Sequence, residues 1–231
     1  MLNEINIMIE LQHFWDNVMK FESEIVRCNK SIKIWEDRLS GISVKVSQTE
    51  SKLKNYRLSL KKNELDLEEI DTKIQKTEQR KDQLKSEREI EAQNNELIRL
   101  NDTKEKFETV ILELLEHVEK TEKLLTDLSN ELSETDKQVK SDVEGLNKKI
   151  SECKKEAEAY RNKFSELIEN LSPVNKAKFS KLVNSKDGVA IAKLNEETCS
   201  RCNFKVPSSI AVSASTHKKI EVCTNCGRFI Y

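Results

Sequence analysis

Hydrophobic residues recur at every seventh position along the first part of the chain, and a second row follows the first at a spacing of three. The first row is Leu11, Val18, Ile25, Ile32, Leu39, Val46, Leu53, Leu60, Leu67 and Ile74. The second row is Phe14, Phe21, Cys28, Trp35, Ile42, Thr49, Tyr56, Asn63, Ile70, Thr77 and Leu84. Such a heptad pattern is typical of a coiled coil, in which both rows form the seam between helices. Polar seam residues such as Thr49, Asn63 and Thr77 lower stability but can fix the register.

The heptad phase breaks after Leu84, because the next hydrophobic position is Ile90. Between them, Ser86 and Glu89 have the spacing of a capping box, in which each side chain bonds a free amide of a new helix. We therefore expect the chain to reverse near residues 85–89. The two hydrophobic rows of the returning helix are Ile90, Leu97, Ile111, Val118, Leu125, Leu132 and Val139, and Leu100, Phe107, Leu114, Thr121, Leu128 and Thr135.

At Val139 the spacing slips by four residues to Val143, a stutter that locally unwinds a supercoil. Regular spacing then resumes as far as Leu171. Because the two arms are nearly equal in length, the returning helix brings the C-terminal part of the chain back to the N-terminus. The sequence thus predicts a mostly α-helical protein with an antiparallel coiled-coil hairpin over 1–171. Cys28 and Cys153 occupy seam positions, where we expect them to pack as small hydrophobic residues.

Two shorter segments follow the predicted hairpin. Ser172 and Pro173 read as a cap and the first position of a short helix, VNKAKFSKLVN, so 172–187 is predicted to be a basic helix with a linker. The next residues, GVAIAKL, have the composition of a strand. We assign 188–231 to a small β-rich module.

No apolar run approaches the ~20 residues that a membrane span requires, and the first residues carry acids and no basic start. We therefore expect a cytoplasmic protein with no membrane insertion. In that reducing compartment, paired cysteines favour metal ligation or redox chemistry over structural disulfides.

Two Cys-x-x-Cys pairs lie near the C-terminus, Cys199 with Cys202 and Cys223 with Cys226. Two such turns can point four thiolates at one tetrahedral metal ion. The surrounding segment has few large apolar residues, so a structural metal would replace a hydrophobic core. The pattern predicts a zinc ribbon with one structural Zn²⁺ bound by these four cysteines.

Two alternatives to zinc receive less weight. Thiol exchange needs only one Cys-x-x-Cys pair and usually a helix start beside it, which neither segment supplies. Iron can occupy a similar four-thiolate site. His217 lies between the pairs and is predicted to be a loop residue, because four cysteines already complete the shell. A closed shell leaves no open position for a substrate, and no phosphate-binding loop or serine nucleophile motif is present, so we predict a protein that is not an enzyme.

Charge is unevenly distributed between the predicted rod and the C-terminal segment. The chain of 231 residues carries 40 basic and 41 acidic side chains. Residues 172–231 hold ten Lys or Arg against four acids, a balance of +6, which leaves −7 for the rod. A basic head suggests an anionic partner, although a solvated lysine-rich surface is an equally good interpretation. The candidate partner-binding residues are Lys176, Lys178, Lys181, Lys186, Arg201, Lys205, Lys218, Lys219 and Arg228.

The helical hairpin with REIEAQNNELIRL after its tip, the GVAIAKL segment, and CSRC followed by EVCTNCGRFIY together resemble a bacterial family of coiled-coil proteins with a C4-type zinc ribbon. The resemblance implies a nucleic-acid-binding zinc ribbon with Cys199, Cys202, Cys223 and Cys226 as metal ligands. Its terminal motif falls on Gly227, Arg228 and Tyr231. Some members are linked to an alternative sigma factor, to transcripts, and to flagellar or type III secretion components.

Two classes of function follow from these patterns. The first is a regulatory adaptor that binds a protein partner, RNA or both through its basic head; the resemblance suggests an alternative sigma factor or a secretion or flagellar component. The second is a structural coiled-coil scaffold whose ribbon only caps the rod. The sequence leaves self-association open.

Overall fold

A computed structural model describes residues 2–81, 86–185, 187–216 and 219–231 of the chain. Two helices of 80 and 81 residues make up most of it. In chain order the helices are α1 (Leu2–Lys81), α2 (Glu87–Leu167), a 3₁₀ turn (Ile168–Asn170), α3 (Pro173–Val183) and α4 (Ser208–Ser215). The strands are β1 (Ile191–Ala192), β2 (Leu194–Asn195), β3 (Thr198–Cys199), β4 (Glu221–Val222) and β5 (Phe229–Ile230).

The long helices α1 and α2 form a helical hairpin, as the heptad pattern predicts. Each predicted seam position of α1 from Leu11 to Thr77 is buried or half-buried, and so is each predicted seam position of α2. The predicted reversal at 85–89 falls partly outside the described residues, as does Leu84. Ser86 lies directly before α2, and its carbonyl accepts the N–H groups of Glu89 and Ile90, both at 3.1 Å. Within the described ranges, no helix has the apolar length that a bilayer crossing requires.

Contacts divide the chain into two compact units, and residues 35–141 form one of them. In this unit the ring of Tyr56 stacks on that of His117 at 5.2 Å, and Arg57 pairs with Glu122 at 2.7 Å. Closer to the reversal, the Gln93 side chain donates to the Thr77 carbonyl at 3.0 Å. Exposed ion pairs stabilise little, so hydrophobic burial along the seam is the main force that joins these helices.

The other unit combines residues 1–34 with 142–231, so the two ends of the chain pack together. Aromatic side chains join its helices: Tyr160 of α2 contacts Phe14 and Phe21 of α1, and Phe164 contacts Trp15, with ring centroids 5.3–6.1 Å apart. Aromatic pairs at these distances add stability beyond the burial of their area.

The end of the second long helix differs from the prediction in detail. The α-helix ends at Leu167 and a 3₁₀ turn continues to Asn170, whereas the sequence predicts a helix that stops at Leu171. Ser172 lies at the N-cap of α3, and Pro173 occupies its first position, as predicted. The Ser172 hydroxyl, however, donates to the Glu4 carboxylate at 3.3 Å, so it ties α3 to α1.

The GVAIAKL segment contains β1 and the first residue of β2, because the chain changes sheet at Lys193. The strand β1 lies at one edge of a three-stranded sheet in the order β1-β5-β4, parallel to β5, while β4 is antiparallel to β5. The strand β2 pairs with β3 in a separate hairpin. Gly188 precedes β1 with φ of +65°, a left-handed conformation that suits glycine.

The strands β1 and β5 are buried on both faces of the sheet, since successive residues of a strand point to opposite sides and all four of their residues are buried. Ile191 and Phe229 belong to a cluster with residues of α1, α2 and α3, including Met8 and Phe179. Their neighbours along the strands belong to a second cluster, which contains two of the paired cysteines. That second cluster consists of Ala192, Leu194, Cys199, Val206, Ala211, Ala214, Cys223 and Ile230. Five of these eight residues are alanine or cysteine.

A buried glutamine of α1 fixes the start of the C-terminal module. The Gln12 side chain, 8% exposed, donates to the Gly188 carbonyl at 3.0 Å and accepts the Ala190 N–H at 2.7 Å. Both backbone groups precede β1. Without this side chain they would lie buried and unpaired, which is costly.

We expect Gln12→Ala to destabilise the unit that contains both chain ends by about 1–3 kcal/mol, the usual cost of leaving a buried polar group unpaired. Amide hydrogen exchange should show faster exchange at Ala190. Asn17→Ala is a matched control, since the side chain of this half-buried residue bonds His13 within α1. Equal exchange at Ala190 in both variants would contradict this account of Gln12.

Candidate metal centre

Two turns of nearly the same geometry bring the paired cysteines together. In the first, the Asn203 N–H donates to the Cys199 carbonyl at 2.9 Å, and in the second, the Gly227 N–H donates to the Cys223 carbonyl at 2.8 Å. Asn203 and Gly227 have φ of 55° and 73°. Glycine and asparagine are the residues that adopt this left-handed conformation most readily, so the local sequence permits both turns.

The four sulfur atoms converge at the spacing of a metal site. Cys199 Sγ lies 3.9 Å from Cys226 Sγ, and Cys202 Sγ lies 3.6 Å from Cys223 Sγ. All four lie within 4.8 Å of one another. A tetrahedral zinc ion with Zn–S bonds of ~2.3 Å would place its sulfur ligands ~3.8 Å apart. The cysteines are therefore clustered at metal-binding distance, with Cys199 and Cys223 buried and the other two half-buried.

Backbone amides and burial set the protonation of the thiols. The pKa of Cys202 is lowered to about 6, chiefly because the Phe204 N–H bonds its sulfur, with a further hydrogen bond from the Asn225 side chain. Burial raises the pKa of Cys226 to about 12 and also raises the pKa of Cys199. N–H groups of Arg201 and Cys202 donate to Cys199, and the Arg228 N–H donates to Cys226, each favouring the thiolate. A divalent cation would supply the positive charge that favours the remaining thiolates.

Several of the candidate partner-binding residues make contacts within the chain. Lys176 pairs with Glu169 at 2.6 Å, and Lys205 pairs with Glu197 at 3.0 Å. The Lys178 ammonium lies over the Phe229 ring, 5.2 Å from its centroid.

Both arginines of the predicted set contact one carboxylate. Asp187 pairs with Arg201 at 3.5 Å and also binds Arg228, whose side chain is only 13% exposed. Lys181 and Lys219 are exposed, whereas Lys186, Lys218 and His217 lie outside the described residues. The structure therefore does not gather the predicted basic residues into one surface that is wholly available to a partner.

Three polar residues near the site have no signal in the sequence pattern. Asp187 reads as part of a turn before Gly188, Asn225 as a generic residue between two cysteines, and Gln12 as a residue beside the seam. The apolar residues of the C-terminal module do not form one exposed surface: Phe204 is 43% exposed, whereas Val206 and Phe229 are 1% and 2% exposed and form part of the core.

The fold and the clustered cysteines define this chain as a mostly α-helical coiled-coil hairpin protein with a small C-terminal strand region. The sequence model described as a CT398-like coiled coil hairpin domain matches residues 23–185. The chain belongs to this family. A search of the curated proteins gave no match.

Solved structures from three bacteria share the fold. CT398 from Chlamydia trachomatis is 18% identical, with a TM-score of 0.89 over 100% of this chain and 99% of that chain. The HP0958 protein from Helicobacter pylori is 19% identical, with a TM-score of 0.66 over 99% and 97% of the two chains. A protein from Mycobacterium smegmatis is 15% identical, with a TM-score of 0.55 over 92% and 94%. At these identities the likeness shows the fold alone.

We expect metal binding at this site to weaken as the pH falls. The pKa values of Cys199 and Cys226 are raised, so these thiols must lose protons when a metal binds. Each proton displaced weakens the apparent affinity by about tenfold for each pH unit below the pKa. Competition with a chromophoric chelator between pH 6 and about 8 measures this slope. An affinity that does not change with pH would contradict thiolate ligation.

Proposed function

We propose that the four cysteines bind one structural Zn²⁺ and that the C-terminal module is a C4 zinc ribbon. The sulfur spacing supports this proposal, because the 3.6 and 3.9 Å separations match the edge of a zinc–thiolate tetrahedron. The second hydrophobic cluster supports it too, since five of its eight buried residues are alanine or cysteine, which bury little area each. Iron remains the competing metal for a four-thiolate set.

The protein acts in this proposal as a non-catalytic adaptor. A four-thiolate shell has no open coordination position, so the metal would organise the module and would not activate water or substrate. The hairpin supplies two long helical faces and the module supplies a compact head. Both are suited to binding a partner.

The balance of +6 in residues 172–231 favours an anionic partner. A zinc–tetrathiolate centre carries two net negative charges, which reduces the surplus to about +4. The partner is an acidic protein region, such as a transcription or secretion component, or it is RNA. The resemblance to bacterial zinc-ribbon proteins linked to an alternative sigma factor, to secretion systems and to transcripts covers both kinds of partner, so the choice between them is made by experiment.

A structural scaffold is the second candidate function. Much of the positive charge forms ion pairs within the chain, with Glu169, Glu197 and Asp187. Such pairing is expected if the ribbon only closes one end of the rod. In that case the module would have no partner of its own.

Reversing three exposed charges tests the adaptor proposal. In Lys181→Glu, Lys193→Glu and Lys219→Glu together, we expect binding to co-purified partners to weaken by about tenfold or more at low salt, because each reversal replaces attraction by repulsion. Affinity and association rate are measured by surface plasmon resonance. Nuclease treatment before co-purification separates RNA from protein, since an RNA partner would be lost on digestion.

The matched control reverses three exposed rod lysines, Lys30→Glu, Lys33→Glu and Lys155→Glu, and should bind as the unmodified protein does. Partner binding that is the same in both triple variants would refute the basic head as a binding surface and favour the scaffold. Metal analysis of native protein tests the zinc assignment separately: one zinc per chain is expected, lost in the double variant Cys199→Ser and Cys226→Ser.

A further inference from the structure

The two arginines near the cysteine turns are anchored by one carboxylate. Asp187 lies in the linker before β1, and its Oδ2 accepts from Arg228 Nη2 and lies 3.5 Å from Arg201 Nη2. The Ser185 hydroxyl donates to the other oxygen, Oδ1, at 3.0 Å, which orients the carboxylate. Arg201 belongs to the first cysteine turn and Arg228 follows the second, so a single side chain joins both turns.

The same two arginines hold the sulfur atoms through their backbones. The Arg201 N–H donates to Cys199 Sγ, and the Arg228 N–H donates to Cys226 Sγ. These two sulfur atoms belong to different cysteine pairs and lie 3.9 Å apart. Fixing the two arginine side chains therefore constrains two N–H donors that point at opposite halves of the site.

Burial and bonding make the Arg228 contact more than a loose surface pair. An exposed ion pair between flexible side chains contributes little to stability. Arg228 is only 13% exposed, and its Nε also donates to the Val189 carbonyl at 2.9 Å, so its planar guanidinium is held at two points. The Arg228 carbonyl, in turn, accepts the Cys223 N–H at 2.8 Å, which carries the constraint to a third cysteine.

We propose that Asp187 is a positioning residue for the metal centre, which holds the N–H donors of Arg201 and Arg228 against the Cys199 and Cys226 sulfur atoms. Groups outside the first coordination shell commonly orient metal ligands, and their loss lowers metal affinity by about 10–100-fold. This inference rests on the proposed zinc site. It also gives Arg201 and Arg228 a structural role within the module, in place of the partner-binding role that the sequence predicts for them.

Zinc retention in the full-length protein tests the role of Asp187. Asp187→Asn keeps the shape of the side chain but removes its charge. We expect this variant to bind zinc about 10–100-fold more weakly than the unmodified protein, as measured by transfer of zinc to a chromophoric chelator. The matched control is Glu197→Gln, which removes a carboxylate that pairs with Lys205 in the same module. The control should retain zinc as the unmodified protein does.

Amide hydrogen exchange of the zinc-loaded protein separates positioning from general stability. In Asp187→Asn, the amides of Arg201 and Arg228 should exchange faster, while the amide of Phe204, which donates to Cys202 without a contact to Asp187, should stay protected. Zinc retention equal to that of Glu197→Gln would overturn the inference. Equal loss of protection at all three amides would also overturn it, because Asp187 would then stabilise the fold in general. Absence of zinc from the unmodified protein would refute the proposed zinc site itself, a result distinct from either of these.

Discussion

If the cysteines bind a metal as proposed, the C-terminal module depends on the convergence of their four sulfur atoms. The strands there are two residues long, and the cluster around the cysteines consists largely of small side chains. Neither strand pairing nor hydrophobic burial of this extent stabilises an independent domain. A metal ion bound at the sulfur spacing observed would contribute about 10 kcal/mol or more to folding, which explains how so small a core can suffice.

The opposite face of the same sheet depends on the rod. Ile191 and Phe229 pack against residues from the start of α1 and from just after the end of α2, and Gln12 bonds the backbone that leads into β1. The sheet is therefore sandwiched between helices on one side and the cysteine site on the other. This arrangement explains why the hairpin must return the chain to its start: the helices at its base supply the apolar surface that the module lacks.

The sequence predicts the parts of this structure that repeat or that use a distinctive residue type. A seven-residue period specifies which side of a helix is buried, so the seam could be assigned even where its members are Thr49 or Thr77. Two Cys-x-x-Cys pairs likewise predict that their four cysteine side chains lie close together. The division of the GVAIAKL segment between two strands could not be foreseen, because it depends on the change of backbone direction at Lys193, where the chain passes from one sheet to the other. The ion-pair partners of Lys176, Arg201 and Arg228 could not be foreseen either. A long basic side chain can reach several carboxylates, and only the fold determines which of them lie near it.

Removing the metal tests most directly whether the cysteine site takes the place of a core. We expect a chelator strong enough to strip zinc to abolish amide protection at Val206 and Ile230 of the second cluster, while the helical residues of 35–141 keep theirs. Hydrogen exchange followed by mass spectrometry, with and without chelator, measures both regions in one experiment. Protection of Val206 and Ile230 that survives complete removal of the metal would contradict the account, since the side chains of the second cluster would then suffice to hold this face of the module.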